Sequence, residues 1–283
     1  MVISMAAKNI YEDYLLLTRR KLLELTSVQE EKKLKAKKVA YKNEILDWLI
    51  TTIQSRSSEI CSRNRRYVDM IKHTAKMAGK EVVEVIVKSL SRVIINVNGP
   101  MGWLVDEVGI DWDPIFDTVF IPGSQIKGAM SAALQFIYAM QKEKVDNQMM
   151  MLRDIFFGAE KEEPHISLIV TTDAYPIDKE DKIIDRDDIL PIYSTKMREH
   201  EVEPTPVHFL VIPPGVMFKF LLIIDTPRLK KLLEDNDYKV KIFKDPNIVF
   251  TQTGLQTIQS ILKKKLKISL QQLLEFSLSK IGV

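Results

Sequence analysis

The sequence predicts an α+β fold: an antiparallel sheet with helices on one face, preceded by a basic helical extension. Three observations lead there. Residues 1–78 contain neither Pro nor Gly and carry helical periodicity. From Gly79 onward, Val- and Ile-rich segments alternate with amphipathic ones. The chain has 283 residues, 46% hydrophobic and 28% charged, enough to bury a core without disulfides or a structural metal.

The extension is justified by spacing. Tyr14, Leu17, Lys21, Leu22 and Leu25 fall near a 3.6-residue period, as do Ile45, Trp48, Leu49, Thr52 and Ile53. This predicts a helical hairpin or small bundle over 1–78. Between the stripes, Lys32, Lys33, Lys35, Lys37 and Lys38 crowd into about two turns, with Lys33, Lys37 and Lys38 toward one side. Arg63, Arg65 and Arg66 form a second basic cluster. Residues 1–78 hold 16 Lys and Arg against 9 Asp and Glu, whereas the whole chain carries only +3. A basic region on a mildly acidic body suggests an acidic partner, either nucleic acid or an acidic protein surface. The plainer alternative is a solvated helical face.

Beyond Gly79 the elements follow in order. Residues 81–97, EVVEVIVKSLSRVIINV, predict a long strand or a bent strand pair. A long loop rich in Gly, Pro and Asp comes next. A helix is predicted from about Ser124, a good N-cap, to Lys142. HISLIVTTDAYP (165–176) predicts a second strand. Residues 177–205 are charged and Pro-bounded, a functional insertion or flexible excursion. VHFLVIPPGVMFKFLLII (207–224) predicts an apolar hairpin around Pro213-Pro214-Gly215. Helices are expected at 227–235 and 254–280, the latter carrying Lys263, Lys264, Lys265 and Lys267. This order is that of a split βαβ, ferredoxin-like layout whose open sheet face can lie against a ligand.

Several classes are excluded. No apolar run reaches the roughly 18 residues of a membrane span, and the N-terminus lacks an apolar core of signal-peptide length. Cys61 is the only cysteine, and His73, His165, His200 and His208 lack the close pairing of a metal motif. Neither a dinucleotide glycine fingerprint nor a GxSxG elbow occurs. The expectation is a cytoplasmic protein without metal or cofactor. Trp103 and Trp112, in the long loop, are candidates for stacking on bases, or for the core.

The most specific string is VFIPGSQIKGAM, residues 119–130. Pro122 and Gly123 turn the chain out of an apolar stretch into a new helix. The free N–H groups of that helix start, together with Lys127, make a place for an anion. Gly128 leaves room for close approach. Gly123 and Gly128 have the Walker A spacing, but Ala129 and Met130 stand where Lys and Ser or Thr are required, which disfavours a nucleotide-hydrolysing loop.

That string and its surroundings resemble the RAMP superfamily of CRISPR effector subunits, whose helix start commonly reads IPGSSLKG. Ser91 and Arg92 stand where a Ser-Arg dipeptide is frequent. The twelve-residue interval from Gly109 to Ile121 is similar to that of the sixth-subunit type in type III-B Cmr complexes. TTDAYP (171–176) and PVHFLVIPPGVMFKF (206–220) continue the likeness in the same order, so it covers most of residues 90–225. Two features depart: the arginine usual near the motif's end is absent, and the chain stops at Ile281-Gly282-Val283, where a glycine-rich loop would begin.

The resemblance implies an RRM-like RAMP core over 79–283 with an insertion at about 177–205. It implies a non-catalytic subunit that holds the 3′ part of a crRNA and contributes to target RNA binding in an antiviral ribonucleoprotein. The partners implied are crRNA, target RNA and other Cmr-type RAMP subunits. Phosphate contacts are then expected at Arg92, Gly123, Ser124, Gln125, Lys127 and Gly128, with Lys196, Arg198 and His200 on the insertion. Two alternatives stay open. One is a metal-dependent endoribonuclease using loop carboxylates, Asp111 and Asp113 above all among Asp106, Glu107 and Asp117; the same two residues also suit turn-organising roles. The other is a protein-only scaffold.

Overall fold

A computed structural model describes residues 9–95, 110–140, 156–158, 167–189, 207–225 and 227–228. Its elements are α1 (Ile10–Thr26), α2 (Glu31–Met77), β1 (Glu81–Lys88), β2 (Asp111–Asp113), β3 (Thr118–Phe120), α3 (Gly123–Met140), β4 (Ile169–Thr171), β5 (Tyr175–Lys179), β6 (Asp185–Ile189), β7 (Val207–Val211) and β8 (Val216–Ile224). The α+β class expected from the sequence is the one observed. The described residues divide into two compact units. The first lies within Met1–Asn64, Lys88–Phe120 and Tyr175–Phe218; the second lies within Arg65–Val87, Ile121–Ala174 and Lys219–Val283.

In the first unit, α1 and the greater part of α2 form a helical hairpin. Lys21 bonds Glu44 at 2.7 Å and the Tyr41 hydroxyl donates to Glu24 at 2.7 Å, so later residues of α2 face earlier ones of α1. Tyr14, Leu25, Ile45, Leu46, Leu49 and Ile53 are buried along the seam. Each contributes on the order of 1.5–3 kcal/mol by leaving water. The start of α1 is held by two caps. Asn9 accepts from the Glu12 N–H at 3.0 Å, and the Asp117 carboxylate accepts from Ile10 (2.7 Å) and Tyr11 (3.0 Å). Asp117 itself has φ 49°, a left-handed turn after the Asp113 carboxylate has gathered the N–H groups of Ile115 and Phe116. That turn joins β2 to β3, which pair antiparallel with Trp112 opposite Val119. β6 and β7 pair antiparallel from Asp185–Val211 to Ile189–Val207, and β5 pairs with β8.

The second unit begins with the last turns of α2. Gly79, the first glycine of the chain, takes φ 70° and ends the helix: its N–H reaches Lys76 O, and that of Lys80 reaches Ala75 O, both at 3.0 Å. The sheet then runs in the order β1–β8–β4, with β4 and β8 antiparallel and Val170 opposite Ile223. In chain order these are the first, third and second strands around α3, the order of a ferredoxin-like sheet. Among the described side chains of α3 the buried ones are Ile126 and Met130, one helical turn apart, and the helix packs beside β4. Lys219 on the central strand is 5% exposed, its ammonium bonded to Asp69 (2.6 Å) and Glu84 (3.3 Å).

Four sequence expectations are revised. The 207–224 segment is no hairpin: β7 pairs with β6, and β8 with β1, β4 and β5. Pro213 and Pro214 have no N–H to enter a ladder, and the Gly215 N–H is taken by Ser89 O at 2.8 Å, so the chain changes sheets at this corner. Of the long strand or bent strand pair expected over 81–97, the unbroken strand is not what forms: β1 ends at Lys88, the chain bends at Leu90 and Ser91, and Val93 then bridges Ile212, with residues 96 and 97 outside the described residues. The single strand expected at 165–176 is β4 and β5, interrupted where Thr172 and Asp173 turn to other partners. Residues 177–179 and 185–189 of the expected excursion are strand. The helix expected at 254–280 lies outside the described residues, and that at 227–235 is described only at Pro227 and Arg228.

Candidate nucleic-acid interface

The α3 start is built by three segments of the second unit. Ile121 forms a bridge with Ala174, each donating to the other at 2.9 Å, which brings Pro122 alongside the end of β4. Pro122 O accepts from the N–H groups of Gln125 (3.0 Å) and Ile126 (3.2 Å), so Pro122, not Ser124, occupies the cap position. Proline has no side-chain acceptor. The Asp173 carboxylate supplies one, accepting from the Gly123 N–H at 2.7 Å. Gly123 is buried, and a Cβ there would come within 2.8 Å of the Thr172 carbonyl and nearer still to that of Thr171. Its role is close packing, and the positive end of the helix already faces a carboxylate.

The rest of the motif behaves differently. Ser124, Gln125 and Gly128 are exposed on one side of α3, and nothing lies within 4 Å of a Cβ placed on Gly128. Lys127 is half-buried beside them. Its ammonium donates to Ser167 Oγ at 2.6 Å, and Ser167 Oγ donates in turn to Ile169 O at 2.9 Å. Among the described residues Ser167 is the one acceptor that the Lys127 ammonium meets, out of three N–H donors, and no carboxylate pairs with it. Burial holds its pKa below the usual lysine range. A partly desolvated cation beside an exposed, side-chain-poor helix face suits an anion that approaches with little steric demand.

The other expected residues are not gathered here. Arg92, in the first unit, is exposed and bonds Asp187 at 2.8 Å. Lys196, Arg198 and His200 lie outside the described residues, as do Trp103 and the lysines at 263–267. Trp112 is a core residue of β2, 6% exposed. The carboxylates near it are engaged. Asp113 accepts from the Tyr175 hydroxyl at 2.7 Å besides organising its turn, and Asp117 caps α1. Asp111 is buried in β2. Arg63 turns inward, donating to the carbonyls of Phe116 and Asp117, while Arg65 and Arg66 are exposed. Among the described residues no three His, Cys, Asp or Glu gather closely enough to hold a metal ion, and no helix is long and apolar enough to cross a membrane.

Two residues of this site, Asp173 and Ser167, escaped the sequence reading. Asp173 had a signal, since TTDAYP breaks an apolar strand with an acidic residue. Ser167 had none.

Comparison with known proteins adds independent information. The sequence matches the RAMP superfamily over residues 105–279. It is 27% identical over 206 residues to the CRISPR system CMR subunit Cmr6 of Saccharolobus solfataricus, across 73% of this chain and 66% of that protein. The chain therefore spans just under two thirds of that relative's length. A chain in the cryo-EM structure of the type III-B Cmr-beta bound to cognate target RNA shares the fold, with a TM-score of 0.56 at 24% identity over 80% of this chain and 79% of that one. With a motif, a strand order and a match across more than half its length in agreement, the chain belongs to the RAMP superfamily.

Proposed function

We propose that this chain is a non-catalytic, cytoplasmic subunit of a type III-B CRISPR ribonucleoprotein. It holds the 3′ part of the crRNA and contributes to target RNA binding in antiviral defence, beside other RAMP subunits. The observation that carries the reading is Lys127: a half-buried ammonium that meets no carboxylate among the described residues, next to the exposed Ser124, Gln125 and Gly128. A phosphate there accepts from the Lys127 ammonium, while bases stay free for pairing. Gly123 serves by bringing the helix start against β4. Arg92 contributes where a phosphate replaces Asp187, and Lys196, Arg198 and His200 extend the contact from the β6–β7 connection. Asp113 and Asp117 are spent on turns and caps, which favours binding over hydrolysis.

Replacing Lys127 by Ala should weaken RNA retention about tenfold across unrelated sequences, the worth of one charge-assisted hydrogen bond of about 1.5 kcal/mol. The slope of log affinity against log salt should become shallower by ~0.7 for a single strand. Unchanged affinity and slope in the variant would remove Lys127 from the RNA path and take the reading with it.

A further inference from the structure

The turn between α1 and α2 is flanked by an excess of positive charge. From Arg19 to Lys42 stand nine Lys and Arg and three Glu, a net +6 in a chain whose total is +3. The remainder of the protein is therefore net negative, and the positive charge is concentrated on this end of the hairpin. Residues 31–40, EKKLKAKKVA, are exposed at every position except the half-buried Leu34. No core face is needed there. At 100° per residue, Lys32, Lys33, Lys35, Lys37 and Lys38 surround the helix instead of marking one side.

This arrangement works against the helix that carries it. Lys33 and Lys37 stand four apart, and Lys32 and Lys35, like Lys35 and Lys38, three apart; each such like-charge pair costs about 0.2–0.5 kcal/mol. The lysines also follow the N-terminus of α2, the positive end of its dipole. Within the hairpin Glu30 pairs with Lys33 at 2.6 Å, Glu31 with Lys35 at 2.7 Å, Glu44 with Lys21 at 2.7 Å, and Glu24 with Arg20 at 3.5 Å. Four carboxylates leave a segment of nine cations strongly positive, so an external polyanion relieves both strains at once.

The chemistry of the surface selects the polyanion. Lysine is depleted at protein–protein interfaces, where aromatic anchors dominate. Here the one aromatic, Tyr41, is half-buried and already engaged with Glu24 and the Lys21 ammonium. Mobile ammonium groups on all sides, without shape or stacking platform, suit a sugar–phosphate chain read without regard to sequence. We propose that the Arg19–Lys42 end of the helical hairpin is a second RNA-backbone contact, separate from the one at Lys127.

The test uses the full chain and a mixed-sequence single-stranded RNA, titrated by fluorescence anisotropy between roughly 50 and 200 mM salt. A variant with Lys32, Lys33, Lys35, Lys37 and Lys38 all changed to Gln keeps helix propensity while removing five charges. Circular dichroism should show undiminished helicity, and thermal unfolding should stay level or rise. Affinity should fall by well over tenfold at low salt, with the salt slope shallower by up to ~3.5, five contacts at ~0.7 each. Changing the same five to Arg should restore both. Affinity and slope equal to the parent's in the Gln variant would overturn the proposal. So would a variant that keeps its RNA binding but no longer joins its neighbouring subunits, which would assign the surface to an acidic protein. The Lys127→Gln variant, measured in parallel, reports on the α3 contact alone, so either contact can fail without the other.

Discussion

Gly123 and Gly128 look alike in the string IPGSQIKG and do opposite things. At Gly123 the carbonyls of Thr171 and Thr172 occupy the space a side chain needs; at Gly128 that space is open. Gly123→Ala should therefore destabilise the protein by about 1–3 kcal/mol, as overpacking does. Gly128→Ala should stabilise it by roughly 0.5–1 kcal/mol through helix propensity. Urea denaturation of the two variants checks both signs, and a stabilising Gly123→Ala would disprove the packing role. Both glycines were visible in the sequence, but their difference was not. The atoms that crowd Gly123 come from a segment some 50 residues further on, the same one that supplies Asp173. Lys127 was legible as a cation near a helix start. Its half-burial and its bond to Ser167 depend on how α3 lies along β4.

At the scale of elements, local signals were reliable where neighbours in sequence are neighbours in space. The α1 and α2 stripes, the stop at Gly79 and the extent of α3 all depend on contacts within a few residues. The β7–β8 segment misleads for the converse reason. Turn residues between two apolar strands suggest a hairpin, yet strand partners are chosen by the whole sheet. Lys219, inside VMFKFLLII, likewise takes its partners from distant segments: α2 and β1 bring Asp69 and Glu84 to meet it. Lys219→Ala and Lys219→Met both take the ammonium from Asp69 and Glu84, and Lys219→Ala should cost more, by roughly 2 kcal/mol, because Met keeps the apolar stem packed in the sheet. Equal losses in the two variants, measured by thermal unfolding, would show that the ion pairs and not the stem carry the contribution there.

At the scale of the molecule, charge is the connecting theme. Positive charge is heaped on the helical hairpin, while the second unit holds its sheet with ion pairs such as Lys80–Asp225 at 2.6 Å and Lys72–Glu84. Burial by itself would raise the Glu84 pKa, but Lys72 and Lys219 outweigh it and hold it below its ordinary 4.5. The Asp225 pKa lies below its ordinary 3.8, through its bond to Lys80 above all. For carboxylates with lowered folded values, the stabilisation is fully present above the unfolded pKa. It is lost as pH falls through the folded one. The melting temperature should thus drop as pH goes below about 4.5. Glu84→Gln should flatten the upper part of that decline while lowering stability at neutral pH. A decline of the same steepness in the variant would remove Glu84 from the account.

The sequence alone determined the α+β class, the helical character and basicity of the first third, the helix start at the IPGSQIKG string and the superfamily. These rest on periodicity, turn chemistry and ordered motifs, all carried by adjacent residues. Only the tertiary structure decided that Asp173 caps α3, that Gly123 is a packing residue, that Asp117 caps α1, and that β7 and β8 part company. Each of those depends on which distant segment arrives to satisfy a donor, fill a space or complete a ladder, and no local pattern encodes that choice.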